Sequence, residues 1–504
     1  MLSKNSLTKI LLPVLVFISA FIFGFQPVKD TDFGWHYRCG IELLSGHPCL
    51  QNDYSYFLPD YKAYYPSFLY DGLTAVIYNV TGFLGLSILS GLILGVAALL
   101  IFKLVPGPLW FKVLSPLLIL LTPGPSLVIG LRPQEFSFLF FLLTLYIIKR
   151  SEPRHCEEAS DVAISSRLLR RARNDVCYLF LLPPLFILWV NTHIGFISGL
   201  LLLPGLFIDE FLKDLAKEKD FPTPRFKLVT LIVFLSGFAT LLNPFGVKVY
   251  LEIIRHAQAP LGATIAEWVA PPGWLKILVI ILSSQLLFLL YFRRKISIFN
   301  LFSLVIFTVL AFTGIRNLIF FATLFFIYSG YVIPTFFSQI SLRHSGLRSG
   351  IQLLICLIPL LFITLNQGHI EKTVAFDTSW ENYCTKSPVS YPCVFTKKYP
   401  DLTGNIYAMY EWGGFLIWQL PKAKVFADGR TPAWLDNTGA STYQVLLAIL
   451  QTRPGWNEKL TETKTDYILI SPGTFMDLLL KENPEKYGWN EDFRDGASVF
   501  YKRI

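Results

Sequence analysis

Asp30-Thr31-Asp32-Phe33-Gly34-Trp35-His36-Tyr37-Arg38 follows directly on an apolar run from about Ile10 to Phe25. Two carboxylates, an indole, an imidazole and a guanidinium therefore stand where a membrane helix would end. Ionisable groups beside a bilayer are costly to keep, so they mark a site by default. An ordinary polar loop leaving a helix is the plainer reading of this stretch alone.

Composition settles the surroundings. The chain has 504 residues, 53% hydrophobic and only 16% charged, with a mean hydropathy of +0.50; soluble domains carry about 25% charged residues. The apolar runs are continuous rather than alternating, which argues against a β-barrel and predicts a mainly α-helical polytopic membrane protein. The net charge of +9 does not indicate a nucleic-acid partner, because Lys and Arg gather in short loops between apolar runs, where they carry topology information.

Lys4 and Lys9 precede the first run and put the N-terminus in the cytoplasm. The loop 26–82 is then outside; Trp35–Leu44 and Phe68–Tyr78 read as short helices along the membrane. Further spans are expected at Phe83–Leu104, Lys112–Gly130, Phe136–Ile148, Cys177–Val190, Ile194–Phe207, Leu228–Leu242, Leu275–Phe292, Ile296–Thr313, Leu318–Val332 and Ile351–Leu365, about eleven in all. Residues 149–176 form a basic cytoplasmic insert, in which Arg154–Ser165 resembles a translated repeat element and is given no function. An odd number of spans puts the tail outside.

The chain thus divides into a transmembrane domain, 1–366, and an extracytoplasmic α/β domain, 367–504. In the latter, Phe415–Leu420, Ala423–Ala427, Asp466–Ile470 and Ser498–Lys502 read as strands, and Tyr443–Gln451 and Thr474–Lys481 as helices. Cys39 and Cys49 share the first outer loop, and Cys384 and Cys393 share the tail; both pairs suit disulfides in an oxidising compartment, with free thiols as the alternative.

Polar residues recur at the outer ends of the spans. They are Arg132-Pro133-Gln134, Asn191-Thr192-His193, Asn243-Pro244-Phe245-Gly246 with Glu267-Trp268, and Arg316-Asn317. With Asp30, Asp32, His36 and Asp53 they would line one surface at one depth. Pro and Gly end helices anywhere, so each segment alone is more simply structural; their coincidence is what points to a site. Carboxylates can act as a base on an acceptor hydroxyl. Arg132 and Arg316 offer forked donors for phosphate, His36 and His193 can donate or move protons, and Trp35 and Trp268 suit sugar faces or the interface. The set reads as transfer of a sugar from a lipid-linked phosphate. Asp30-x-Asp32 can also hold a divalent cation, Mg or Mn, through oxygen ligands.

In this order the segments resemble the C-type (GT-C) membrane glycosyltransferases, the superfamily of the dolichyl-phosphate-mannose protein mannosyltransferases and bacterial aminoarabinose transferases. The resemblance rests on Asp30–Gly40, Gly46-His47-Pro48, Asn52–Tyr56, Arg132-Pro133-Gln134, Trp189–His193, Asn243–Gly246, Glu267-Trp268 and Arg316-Asn317. In the tail it rests on Glu411-Trp412-Gly413-Gly414 and Asp428-Gly429-Arg430. It implies an inverting transferase of the inner membrane, taking a polyprenyl-phosphate sugar in the outer leaflet to a glycan, lipid or protein acceptor. The catalytic carboxylate would be Asp32 or Asp30, with Asp53 matching a second acidic position. The chain departs from the mannosyltransferase pattern, having Asp-Thr-Asp where Asp-Glu is expected. Asp428 and Arg430 follow a predicted strand, where sites form; a tight structural turn is the alternative. A transporter or flippase of lipid-linked glycan would favour charges at mid-membrane, and a non-catalytic scaffold binding glycan would tolerate loss of Asp32.

Overall fold

The computed structural model describes residues 4–122, 130–152, 178–216, 221–259, 261–263, 265–293, 296–337, 357–386 and 389–504. The predicted repeat-like segment Arg154–Ser165 lies outside these residues, as does part of the predicted span Ile351–Leu365.

Three helices organise the first part: α1 (Lys4–Gly24), α2 (Phe33–Leu44) and α3 (Phe68–Leu104). α3 contains Gly82 at φ 66 and ψ −158, a conformation that glycine alone adopts without strain. It is therefore two helices meeting at a kink, which joins the predicted surface helix to the predicted span. Small residues set the packing of α3 on α1: a Cβ on Gly95 would come within 2.6 Å of the Phe17 ring, and one on Gly91 within 2.9 Å of Phe21. Close approach over small residues is how helices associate where both faces are apolar.

By length and composition, Phe68–Leu104, Gly273–Phe292 and Ile315–Ile333 can cross a membrane. Shorter apolar helices run over Ile10–Gly24, Leu109–Leu121, Tyr178–Val190 and Ile298–Ala311. Exposed Ile277, Ile281 and Phe288 on Gly273–Phe292, and Phe234 and Phe238 on the helix Pro224–Ala239, form a surface that suits lipid. The predicted span Ile194–Phe207 is divided into Phe196–Leu200 and Leu203–Leu215, with Pro204 near the start of the second. An amphipathic helix, Lys248–Gln258, adds to the expected elements; its polar face interrupts the apolar run by which a span is recognised in sequence.

The tail carries β1 (Gly404–Ala408), β2 (Ala423–Val425), β3 (Tyr467–Ile470), β4 (Trp489–Arg494) and β5 (Val499–Arg503), ordered β2-β1-β3-β5-β4. β1 is parallel to β2 and β3; β3–β5 and β5–β4 are antiparallel. Helices Thr442–Leu450 and Phe475–Glu482 agree with expectation. Phe415–Leu420 does not form a strand: Gly413–Gln419 is a helix. Its Gly414 carbonyl lies where a Cβ on Gly34 of α2 would have to be, and further along α2 Gly40 meets the backbone of Asp71 in α3. α2 is thus clasped between α3 and the tail by two glycines, and one buried cluster, including Phe33, Trp35, Phe83, Phe415 and Leu416, runs through both parts.

The loop that follows α2 reaches the tail as well. Val425 N donates to Tyr54 O (2.9 Å), and Tyr56 N donates to Val425 O (3.1 Å). The loop thereby pairs the free edge of β2, which would otherwise present unpaired backbone groups. Cys39 is disulfide-bonded to Cys49 and Cys384 to Cys393.

Candidate active site

A cavity of about 890 Å³ opens where α2, one set of ends of the apolar helices and the carboxyl ends of β1 and β2 converge. Of the predicted residues, Asp30, Asp32, Trp35, His36, Arg132, Gln134, His193, Glu267, Trp268, Arg316 and Asn317 all line it. The tail adds Tyr410, which follows β1, and Gly429 and Pro432, which follow β2. Openings beyond the carboxyl ends of parallel strands recur as ligand sites.

The loop carrying the two aspartates is fixed from behind. Asp377 accepts from Val28 N (3.4 Å) and from Ser87 Oγ (2.5 Å). Gly130, at φ 91, lets the chain pass against Pro27 and Val28. Asp30 then pairs with Arg132 (Nε to Oδ2, 3.3 Å) and accepts from Asp32 N (3.3 Å). Arg132 Nη1 also donates to Glu267 Oε2 at 2.7 Å. Arg316 lies 3.8 Å from the other Glu267 oxygen, its guanidinium 3.5 Å from the Trp268 ring centroid. Asp30, Arg132, Glu267, Arg316 and Trp268 form one continuous chain of contacts.

Asp32 stands apart from that chain. Among the described residues no side chain donates to its carboxylate, and Gly429 presses against it so closely that any Cβ there would overlap its oxygens. Burial pushes the Asp32 carboxyl up to about 7, the charge of Asp30 adds to this, and Arg132 and His36 oppose it. Burial also pushes Glu267 up, but Arg132 and Arg316 outweigh it and hold the group below the usual carboxylate range. Two acids in one cavity are therefore driven in opposite directions, the arrangement that separates a proton acceptor from a fixed counter-ion.

His36 Nδ1 lies 2.5 Å from Asp71 Oδ1, and Ser67 Oγ donates to the other Asp71 oxygen at 2.9 Å. His193 Nδ1 lies 2.7 Å from Ser137 Oγ. Trp35 Nε1 and Gln134 Oε1 are buried and carry no partner among the described residues; both line the cavity, so a ligand there would meet one idle donor and one idle acceptor.

Asp53 is exposed, away from the cavity, because its loop is drawn to the edge of β2. Asn191 does not line the cavity either; its side-chain amide bridges the carbonyls of Ile187 and Leu242, both at 2.8 Å. Asp428 and Arg430 bind each other through two hydrogen bonds of 2.8 Å, and Arg430 stacks 4.9 Å from the Tyr54 ring centroid. That pair braces the turn that presents Gly429. Both members are nearly inaccessible, and removing one leaves the other charge buried alone, costing roughly 3–5 kcal/mol. Asp428→Ala is accordingly expected to lower the unfolding temperature sharply in a detergent melt, and an unchanged melt would dismiss the brace. Asp71, Tyr410 and His256 were missed in the sequence, and Gly429 stood out there only as part of the Asp428-Gly429-Arg430 segment. Tyr410 adjoins the Glu411–Gly414 segment already singled out, and Asp71 is the lone acid on an otherwise apolar helix start.

Among the described residues no group of three or more His, Cys, Asp or Glu is arranged to hold a metal ion. As arranged, Asp30 and Glu267 are each paired with Arg132, so Asp30 and Asp32 do not offer the cation pair that their spacing suggested. The donor set fits an arginine-bound anion better than Mg²⁺ or Mn²⁺.

No family model and no curated protein matches the chain. Solved structures do. The archaeal oligosaccharyltransferase AglB from Archaeoglobus fulgidus, in complex with an inhibitory peptide and a dolichol-phosphate, aligns with a TM-score of 0.58 at 13% identity, over 93% of this chain and 70% of that one. An Archaeoglobus fulgidus oligosaccharyltransferase in complex with Zn and sulfate aligns at 0.55 and 13%, over 91% and 67%. ArnT from Cupriavidus metallidurans bound to undecaprenyl phosphate aligns at 0.46 and 12%, over 99% and 97%. The chain has the C-type glycosyltransferase fold.

Proposed function

We propose that this protein is a membrane glycosyltransferase that moves a sugar from a polyprenyl-phosphate donor to an acceptor at the outer face, by inversion. The observation that carries the reading is the Asp32 carboxylate, without a side-chain donor among the described residues and pushed up to about 7, in one cavity with Arg132 and Arg316. Asp32 takes the proton from the acceptor's nucleophile as that atom attacks the anomeric carbon, and the sugar–phosphate bond breaks. The two guanidiniums, whose donors are only partly used by Asp30 and Glu267, hold the phosphate as its charge grows. Ile197, Leu201, Ile253, Leu310 and Phe320 give the cavity an apolar wall for the first isoprene units. An AglB structure contains a dolichol-phosphate, and the shared fold supports the same class of donor here. The acceptor is a glycan, lipid or protein, and the chain lies in the inner membrane with its tail outside.

The test is transfer or release of labelled sugar from polyprenyl-phosphate donors by the full chain in lipid. Turnover supports the reading. No turnover with any donor, while the lipid phosphate still binds, would favour a carrier or scaffold. A base acts in its ionised form, so the rate should rise with pH to about 7 and level off above it. A rate indifferent to pH across that range would remove Asp32 from the role.

A further inference from the structure

His193 lines the cavity together with Arg132 and Arg316, and three donors decide its chemistry. Gly195 N donates to His193 Nδ1 (3.2 Å). A backbone amide can only donate, so that nitrogen must carry a lone pair and no proton. Trp189 Nε1, also a pure donor, gives its hydrogen to Ser137 Oγ (2.8 Å). The Ser137 hydroxyl is then free to donate its own proton to the same Nδ1, 2.7 Å away. Nδ1 thus accepts twice. The ring proton is confined to Nε2, on the opposite edge of the ring, and no described residue accepts it. A Cβ on Gly195 would strike both Ser137 Oγ and the His193 ring, so the cradle is built around a glycine. Burial, then Arg316 and Arg132, push His193 well below its ordinary range, in keeping with a ring that stays neutral.

We infer that His193 is a locked neutral donor that gives its Nε2–H to a phosphate oxygen of the lipid-linked substrate. The phosphate part of this assignment rests on the function proposed above; the tautomer does not. The lock carries two exclusions. His193 moves no proton, since its basic nitrogen is already spent. It also ligates no cation, since Nε2 holds a hydrogen instead of a lone pair. Beside two arginines, a neutral donor adds a directed hydrogen bond without a third positive charge, which would hold the product phosphate as firmly as the substrate.

The experiment uses the full chain in lipid nanodiscs with ¹⁵N-histidine, the His193 signals being those lost in His193→Gln. An unprotonated Nδ1 and a protonated Nε2 at neutral pH are expected; the reverse tautomer or an imidazolium would overturn the lock. Binding of undecaprenyl phosphate should weaken about tenfold in His193→Ala, the usual loss of one hydrogen bond to a charged group. It should return close to wild type in His193→Gln, whose terminal amide places a donor near the Nε2 position. Equal weakening in both variants would overturn the donor role. Inorganic phosphate is the second probe: if it moves the Nε2–H signal as undecaprenyl phosphate does, the headgroup alone is recognised. A wild type that binds neither phosphate would remove the phosphate assignment and the proposed function together, with the tautomer still read independently.

Discussion

Asp32→Asn should lower sugar transfer by a hundredfold or more, since a positioned base contributes about 10²–10⁴. The change is close to isosteric and removes only the capacity to take a proton. It also removes a burden from the fold. The folded carboxyl titrates near 7 against an ordinary 3.8, so the folded state binds the proton more tightly than the unfolded state. Stability is therefore full at acid pH, falls as pH rises between those two values, and stays reduced above about 7. The Asn variant should melt at or above the wild-type temperature in alkaline buffer while turnover collapses, and that combination separates chemistry from folding. Asp30→Asn makes the contrast. Its charge is one of the influences raising Asp32, so the acid limb of the rate profile should move to lower pH. Losing a partner of Arg132 should weaken donor binding as well. Transfer by Asp32→Asn within tenfold of wild type would end the base assignment.

What could be read in the chain beforehand was whatever hydropathy and chain order determine. Asp30, Arg132, His193, Glu267 and Arg316 are far apart in sequence, but each lies in a segment between apolar runs on the same predicted side, so alternation alone put them at one depth. Their convergence in one cavity is a consequence of topology. The rest depended on tertiary contacts with no local signature. Phe415–Leu420 has the apolar content of a strand, yet Gly413 and Gly414 let it lie as a helix against Gly34 of α2. Trp489–Arg494 is a strand although only Trp489 is buried, because β5 supplies the pairing that its side chains do not predict. Asp53 looked like a second acid of the site, but the open edge of β2 claimed its loop. Asn191 looked equally eligible and is used to join two helices.

Gly429→Ala should cost about as much activity as losing the base, through a residue with no functional group. Gly429 is not in a left-handed conformation, so alanine meets no backbone strain, and the whole penalty is the collision with the Asp32 carboxylate. The turn cannot readily yield. Asp428 accepts from Arg430 N at 3.0 Å and from the Arg430 guanidinium, and Asp428 N donates to Thr431 Oγ1 (3.3 Å). The carboxylate, the free end of a side chain with no partner among the described residues, is what gives way. A displacement of about 1 Å at a reacting group can cost about 10²-fold, so transfer should fall by about that factor while the melting temperature and undecaprenyl phosphate binding stay near wild type. The decisive comparison is the double variant. If Gly429 acts only by setting the position of Asp32, adding Gly429→Ala to Asp32→Asn should bring little further loss, because the group it displaces no longer takes a proton. Losses that multiply would instead mean that the tail shapes the cavity by another route, through Tyr410 or Pro432, and that its contact with Asp32 is incidental.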